Sequence, residues 1–290
     1  MRKYLIVIGD SRKMEEVPDN SVHLVVTSPP YWNLERYSTK ETDVLQGDLG
    51  RIADKRIFFR EITRVWRECF RVLVPGGKLV CIFRNINVGR RERGYVCMIN
   101  LYGPMVESIE RAGFLFFTEW ISKVPFPILP FRKVMDRTYG NRSKNEARSF
   151  YNYDYCCVFK KGATRRIVDL SRISKEEWYR LVDGVWEVWD IGSTTYAEYA
   201  CGAVHPVKLF ENFIKLYTNP GDVVLDPFLG TGTAVLAAFK LGRSAIGYEV
   251  RPELKEIIKK KVMFGSKSLT GERIVWKLID KSKEPPDIEE

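Results

Sequence analysis

The stretch VVLDPFLGTGTAVLAA, residues 223–238, constrains this chain more than any other. VVLD (223–226) is a short apolar run that reads as a buried strand. PFLGTGT is a glycine-rich turn, and AVLAAFKLG continues as a helix that stops at Gly242. Gly230 and Gly232 let a ligand approach the backbone, and the unpaired N–H groups of the helix start face an anion. SAIGYEV (244–250) is the next strand. Glu249 near its end, 23 residues after Asp226, is placed to accept hydrogen bonds from ribose hydroxyls. Taken alone, this pattern suits a nicotinamide dinucleotide as well as any other nucleoside ligand.

A second segment narrows the reading. The apolar run VHLVVT (22–27) leads into Ser28-Pro29-Pro30-Tyr31-Trp32. Two prolines stiffen the turn and remove two backbone donors, so neighbouring carbonyls can stand as fixed acceptors. Tyr31 offers a flat face on which a base can stack. Acceptors of this kind suit an exocyclic amine whose lone pair is delocalised into an aromatic ring. They hold its two hydrogens and orient the nitrogen for in-line attack.

The remaining chain alternates strands and helices. YLIVIG (4–9), LVCIF (79–83), FLFFTEWISKV (114–124) and YDYCCVF (153–159) read as strands. Residues 57–73 form a helix that Pro75-Gly76-Gly77 should end. Helices are also expected over 102–113, 174–183 and 205–217, the second of these starting with Ser174 as N-cap. The tail from 281 to 290 is expected to be disordered. Such alternation implies an α/β fold, mostly parallel, with helices on both faces.

Composition excludes several classes. The chain has 290 residues, 45% hydrophobic and 13% aromatic, enough for one well-packed core. No apolar run is long enough for a membrane span or a cleavable leader, which predicts a cytoplasmic protein. The six cysteines (Cys69, Cys81, Cys97, Cys156, Cys157, Cys201) form no CxxC pair, and His23 and His205 lie far apart, so no metal site is expected. The single glutamine, Gln46, against 29% charged residues resembles thermophile composition. The net charge of +10 favours a polyanionic partner.

Thr27-Ser28-Pro29-Pro30-Tyr31-Trp32 resembles motif IV of the N4-cytosine and N6-adenine methyltransferases, with the leading serine typical of the N4-cytosine type. Asp226-Pro227-Phe228-Leu229-Gly230-Thr231-Gly232-Thr233 resembles their motif I, DPFxGxGT, without departure. The catalytic loop precedes the cofactor loop, the circularly permuted order of the β class. His205-Pro206 then resembles motif X, and Asp10 the motif III acid near the adenine. The match covers roughly 1–34, 66–85 and 184–252. The resemblance implies a Rossmann-like S-adenosylmethionine methyltransferase fold over 1–280. It implies Ser28, Pro29, Pro30 and Tyr31 as catalytic residues. Asp10, Thr27, His205, Asp226, Pro227, Phe228, Gly230, Thr231, Gly232, Thr233 and Glu249 are the implied cofactor contacts. A cytosine C5 mechanism needs a nucleophilic cysteine after a proline, and none of the six follows one.

Basic clusters at 84–93, 132–148 and 160–166 are candidate polymer-binding elaborations, within 84–94 and 125–183. Trp32, Arg84, Arg90, Arg91, Arg93, Arg132, Lys133, Arg137 and Arg142 are the expected nucleic-acid contacts. DNA is favoured by family frequency, as in restriction-modification enzymes. Little chain remains to read a DNA site, so a ribosomal RNA cytosine, methylated once or twice on N4, is an alternative, as is adenine N6. A non-catalytic nucleic-acid-binding module is the reading of another class, against which both intact motifs stand. Either a monomer or a homodimer is compatible with the sequence.

Overall fold

The computed structural model describes residues 2–32, 47–88, 97–123, 153–187, 205–264 and 274–282. In chain order the elements are β1 (Arg2–Ile8), β2 (Val22–Thr27), α1 (Lys55–Val72), β3 (Leu73–Phe83), β4 (Ile86–Val88), β5 (Cys97–Ile99), α2 (Tyr102–Glu110), β6 (Leu115–Lys123), β7 (Tyr153–Lys160) and α3 (Lys175–Val182). There follow β8 (Val185–Glu187), α4 (Val207–Tyr217), β9 (Val223–Asp226), α5 (Thr233–Lys240), β10 (Ser244–Glu249), the short α6 (Lys255–Ile258) and β11 (Ile274–Asp280).

Nine described strands form one sheet in the order β11-β1-β10-β9-β2-β3-β7-β6-β8. It is parallel from β11 through β3. Strand β7 then runs antiparallel to both β3 and β6. Alternate residues of each strand serve opposite faces. Ile6, Ile8, Leu24 and Val26 pack beneath α4 and α5 through Leu209, Phe213, Ala234 and Ala237. Val7, Val25, Leu79 and Phe83 pack against α1 and α2 through Phe58, Val65, Trp66 and Ile109. Each fully buried large apolar side chain contributes about 1.5–3 kcal/mol. The expected mostly parallel sheet with helices on both faces is therefore present.

Three expectations need correction. First, Pro75-Gly76-Gly77 does not end α1, which stops at Val72 and passes directly into β3. The Pro-Gly-Gly run lies inside that strand, where the β2–β3 register shifts between Val22 and Leu24. Gly76 has φ +78°, and a Cβ there would stand 2.6 Å from the Thr164 carbonyl oxygen, so the kink requires glycine. Second, the 125–183 stretch is not purely a target-binding elaboration, because β7 is an interior strand. Third, the tail is anchored at its start. Strand β11, unforeseen, pairs with β1 over seven residues, Trp276 stacks on Tyr4 at 4.3 Å, and Lys281 N–H donates to the Ile8 carbonyl at 2.8 Å. Residues 283–290 lie outside the described residues.

Candidate active site

The C-terminal ends of the parallel neighbours β1, β10, β9 and β2 open onto one cleft, as open α/β sheets dispose their ligand sites. The cleft encloses about 990 Å³, part of it open to solvent. Ser28, Pro29, Pro30 and Tyr31 line it beyond β2, and Pro227, Phe228, Gly230 and Thr231 line it beyond β9. Asp10, His205, Asp226, Thr233 and Glu249 complete the expected residues on its wall.

Asp226 ends β9 and is 3% exposed. Its Oδ1 accepts from the Thr27 hydroxyl at 2.6 Å and from Phe228 N–H at 3.0 Å. Among the described residues no donor reaches Oδ2. Burial, with the Glu249 carboxylate adding to it, raises the pKa to about 7 against the pull of those two bonds. Glu249 is buried too, and its pKa is raised by burial. Its Oε1 accepts from the main-chain N–H of Arg251 at 3.0 Å and from the guanidinium of the same residue at 3.1 Å. Its Oε2 accepts from Gly230 N–H at 2.7 Å and keeps a lone pair for a ligand hydroxyl. Asp10 is held by the main-chain N–H of Arg12 at 2.8 Å and by its guanidinium. Two buried carboxyls on one wall favour a ligand that brings positive charge.

Ser28 lines the same cavity from the loop after β2, the strand beside β9. Its Oγ lies 3.0 Å from His205 Nε2. Phe228 packs edge-on against buried Trp66 of α1, ring centroids 5.8 Å apart, so a core helix fixes the aromatic floor of the cleft.

Several expected contacts have other roles. Thr27 is fully buried behind Asp226 and orients it rather than touching the cavity. Gly232 also stands off the cavity wall. It caps α5 at φ +95°, and a Cβ there would meet Val262 at 2.6 Å, so its small size serves packing. Trp32, expected to touch nucleic acid, is 8% exposed, and its indole N–H donates to the Ala53 carbonyl at 3.2 Å, pinning the Pro-Pro turn. Arg84 is tied bidentately to buried Asp154, at 2.6 and 2.9 Å. In the third basic cluster, Lys161 donates to the Leu73 carbonyl and Arg166 pairs with Asp222, at the opposite end of the sheet from Ser28. Arg90, Arg91, Arg93, Arg132, Lys133, Arg137 and Arg142 lie outside the described residues.

Sequence reasoning missed Lys261, whose ammonium donates to the Thr231 and Thr233 hydroxyls at 3.1 and 3.0 Å. It missed Asp154 as well. A lysine in a basic helix and an aspartate between tyrosines carry no local signal of their partners.

Known proteins share both the order and the shape. The family profile for DNA methylases of the N6/N4 type matches residues 22–260. The Type II methyltransferase M.MjaI of Methanocaldococcus jannaschii is 32% identical, over 89% of this chain and 90% of its own length. M.MthZI of Methanothermobacter thermautotrophicus is 29% identical, over 89% of this chain and 76% of its own. A Thermus thermophilus protein described as a putative DNA modification methylase, solved with S-adenosyl-L-methionine, is 30% identical with a TM-score of 0.71, over 96% of this chain and 98% of that one. The PvuII cytosine-N4 DNA methyltransferase has a TM-score of 0.65 at 19% identity, over 98% and 96% of the chains, a likeness of fold. With SPPY ahead of DPFLGTGT and both on one cleft, the chain belongs to the N6/N4 DNA methylase family, in its β-class order.

Proposed function

We propose that this protein is an S-adenosylmethionine-dependent DNA methyltransferase of restriction-modification type that methylates N4 of cytosine. The observation that carries the reading is the convergence of the Ser28–Tyr31 and Asp226–Thr233 loops, far apart in sequence, on one cavity. Relatives named as Type II methyltransferases support DNA, and the serine of SPPY supports cytosine.

The residues fit the cofactor. Asp226 Oδ2 would accept from the amino group of the methionine moiety, and Glu249 Oε2 keeps a lone pair that would take a ribose hydroxyl. Gly230 has open space where a side chain would stand. When bound, S-adenosylmethionine supplies an electrophilic sulfonium methyl. The chain's own residues do the rest. Ser28 Oγ and the Pro29 carbonyl accept the two amine hydrogens, which favours a tetrahedral nitrogen and aims its lone pair. Tyr31 walls the pocket into which a base flipped from the duplex must enter. Arg90, Arg91, Arg93, Arg132, Lys133, Arg137 and Arg142 are proposed to hold the phosphate backbone.

The test is to methylate DNA with isotope-labelled S-adenosylmethionine, digest it to nucleosides and separate them. N4-methyldeoxycytidine is expected. Label in N6-methyldeoxyadenosine, or incorporation only when RNA is supplied, contradicts the assignment.

A further inference from the structure

His205, expected among the cofactor contacts, is engaged at both ring nitrogens by other groups. Nε2 lies 3.0 Å from Ser28 Oγ. Nδ1 faces Asp154 Oδ2 at 3.8 Å, an electrostatic contact beyond hydrogen-bond reach. Asp154, 1% exposed, is fixed by the two bonds from Arg84. Burial pulls the Arg84 guanidinium down, but Asp154 and Tyr31 outweigh it and its pKa ends raised, so the guanidinium stays charged. The chain Ser28–His205–Asp154–Arg84 thus joins the loop after β2, the start of α4, strand β7 and the end of β3.

A neutral imidazole carries its proton on one nitrogen only. The Asp154 carboxylate favours that proton on Nδ1. Nε2 then presents a lone pair, and the hydroxyl proton of Ser28 fills the contact. His23 shows the opposite arrangement: Val223 N–H donates to its Nδ1 at 3.1 Å, which puts the ring proton on Nε2, facing Asp222 at 3.4 Å.

This distinction bears on the amine. A serine hydroxyl has one proton and two lone pairs. If it rotated freely, it could aim its proton at the target nitrogen and repel the amine hydrogens. With the proton held on His205, only lone pairs remain for the substrate. We propose that His205, oriented by the Asp154–Arg84 pair, is a positioning residue that keeps Ser28 a hydrogen-bond acceptor toward the target amine. The inference rests on the amine-methylation reading above. Burial holds the His205 pKa below its ordinary 6.5, with Asp154 opposing and Arg84 reinforcing, and the Phe210 ring closes one side. Protonation at acid pH makes Nε2 a donor to Ser28 and releases the hydroxyl proton toward the amine.

Two measurements test it. In ¹⁵N-labelled protein without cofactor or nucleic acid, the sequence's two histidines should show opposite tautomers. Nε2 of His205 should be an unprotonated acceptor whose resonance moves in Ser28→Ala. A protonated Nε2 at neutral pH overturns the proposal. Single-turnover methyl transfer is then followed against pH at saturating cofactor. The wild-type rate should fall tenfold per unit below an apparent pKa under the ordinary histidine value. His205→Gln, whose amide oxygen can accept from Ser28, should stay within several-fold of wild type and lose that acid limb. His205→Phe should be slower by about 10²-fold with cofactor affinity unchanged. Wild-type rates in His205→Phe, or an acid limb that survives in His205→Gln, overturn the proposal while leaving the methyltransferase reading intact. A wild-type protein that methylates no amine overturns both. Should His205→Phe not fold, the His205→Gln pH profile decides.

Discussion

Asp226 accepts two hydrogen bonds on one oxygen, lies buried beside Glu249 and has its pKa raised to about 7, so in the proposed role it would take the cofactor's ammonium in its ionised form. Below about pH 7 binding would then release a proton. Below about pH 7 cofactor affinity should fall by up to tenfold per unit, and above it stay flat. Calorimetric titration checks this, and Asp226→Asn should bind weakly with no such slope. The linkage has a second consequence. A carboxyl raised in the folded state stabilises the empty protein at low pH, and that stability is lost as pH rises toward 7. Asp226→Asn should therefore stabilise the ligand-free protein at pH 8, by about 1–2 kcal/mol, as a thermal melt would show. Asp226, Ser28 and Glu249 were legible in the sequence because their chemistry is fixed by type and motif. The contacts of Thr27, Trp32 and Arg84 within the protein were not legible, because residue type does not say which way a side chain faces. Thr27 looks inward to Asp226, Trp32 to the Ala53 carbonyl, and Arg84 to an aspartate seventy positions away.

The two motif glycines separate by element. Gly230 has φ +56° with open space where a methyl group would stand, whereas Gly232 has φ +95° and Val262 at 2.6 Å. Gly230→Ala should cost about 1 kcal/mol of stability and act mainly on cofactor affinity. Gly232→Ala should cost about 1–3 kcal/mol or more, through backbone strain and the clash with the segment after α6. Equal melting temperatures for the two variants would contradict this division. The strands flanking the cleft were legible because each is an apolar run ended by turn residues. The α1–β3 junction was not, since a proline-glycine-glycine run reads as punctuation yet here makes a kink inside a strand. Strand β11 escaped notice because an edge strand, half-exposed along its length, lacks the continuous apolar run of an interior one.

At the scale of the whole molecule, a charge of +10 predicts salt-sensitive binding to nucleic acid. Reversing Arg90, Arg91 and Arg93 together should reduce the salt slope of DNA binding by about 0.9 for each phosphate these side chains neutralise. Arg84→Ala should leave that slope unchanged and slow the chemical step, because Arg84 orients Asp154 behind the Ser28–His205 contact. The fold makes this arrangement possible: parallel strands bring four loops to one end of the sheet, where the loops after β1, β2, β9 and β10 line a single cavity. The single-turnover rate of Ser28→Ala at saturating cofactor tests that shared cavity most directly. A fall of about 10²-fold, with cofactor affinity within about twofold of wild type, is the predicted result; a rate equal to wild type would contradict it.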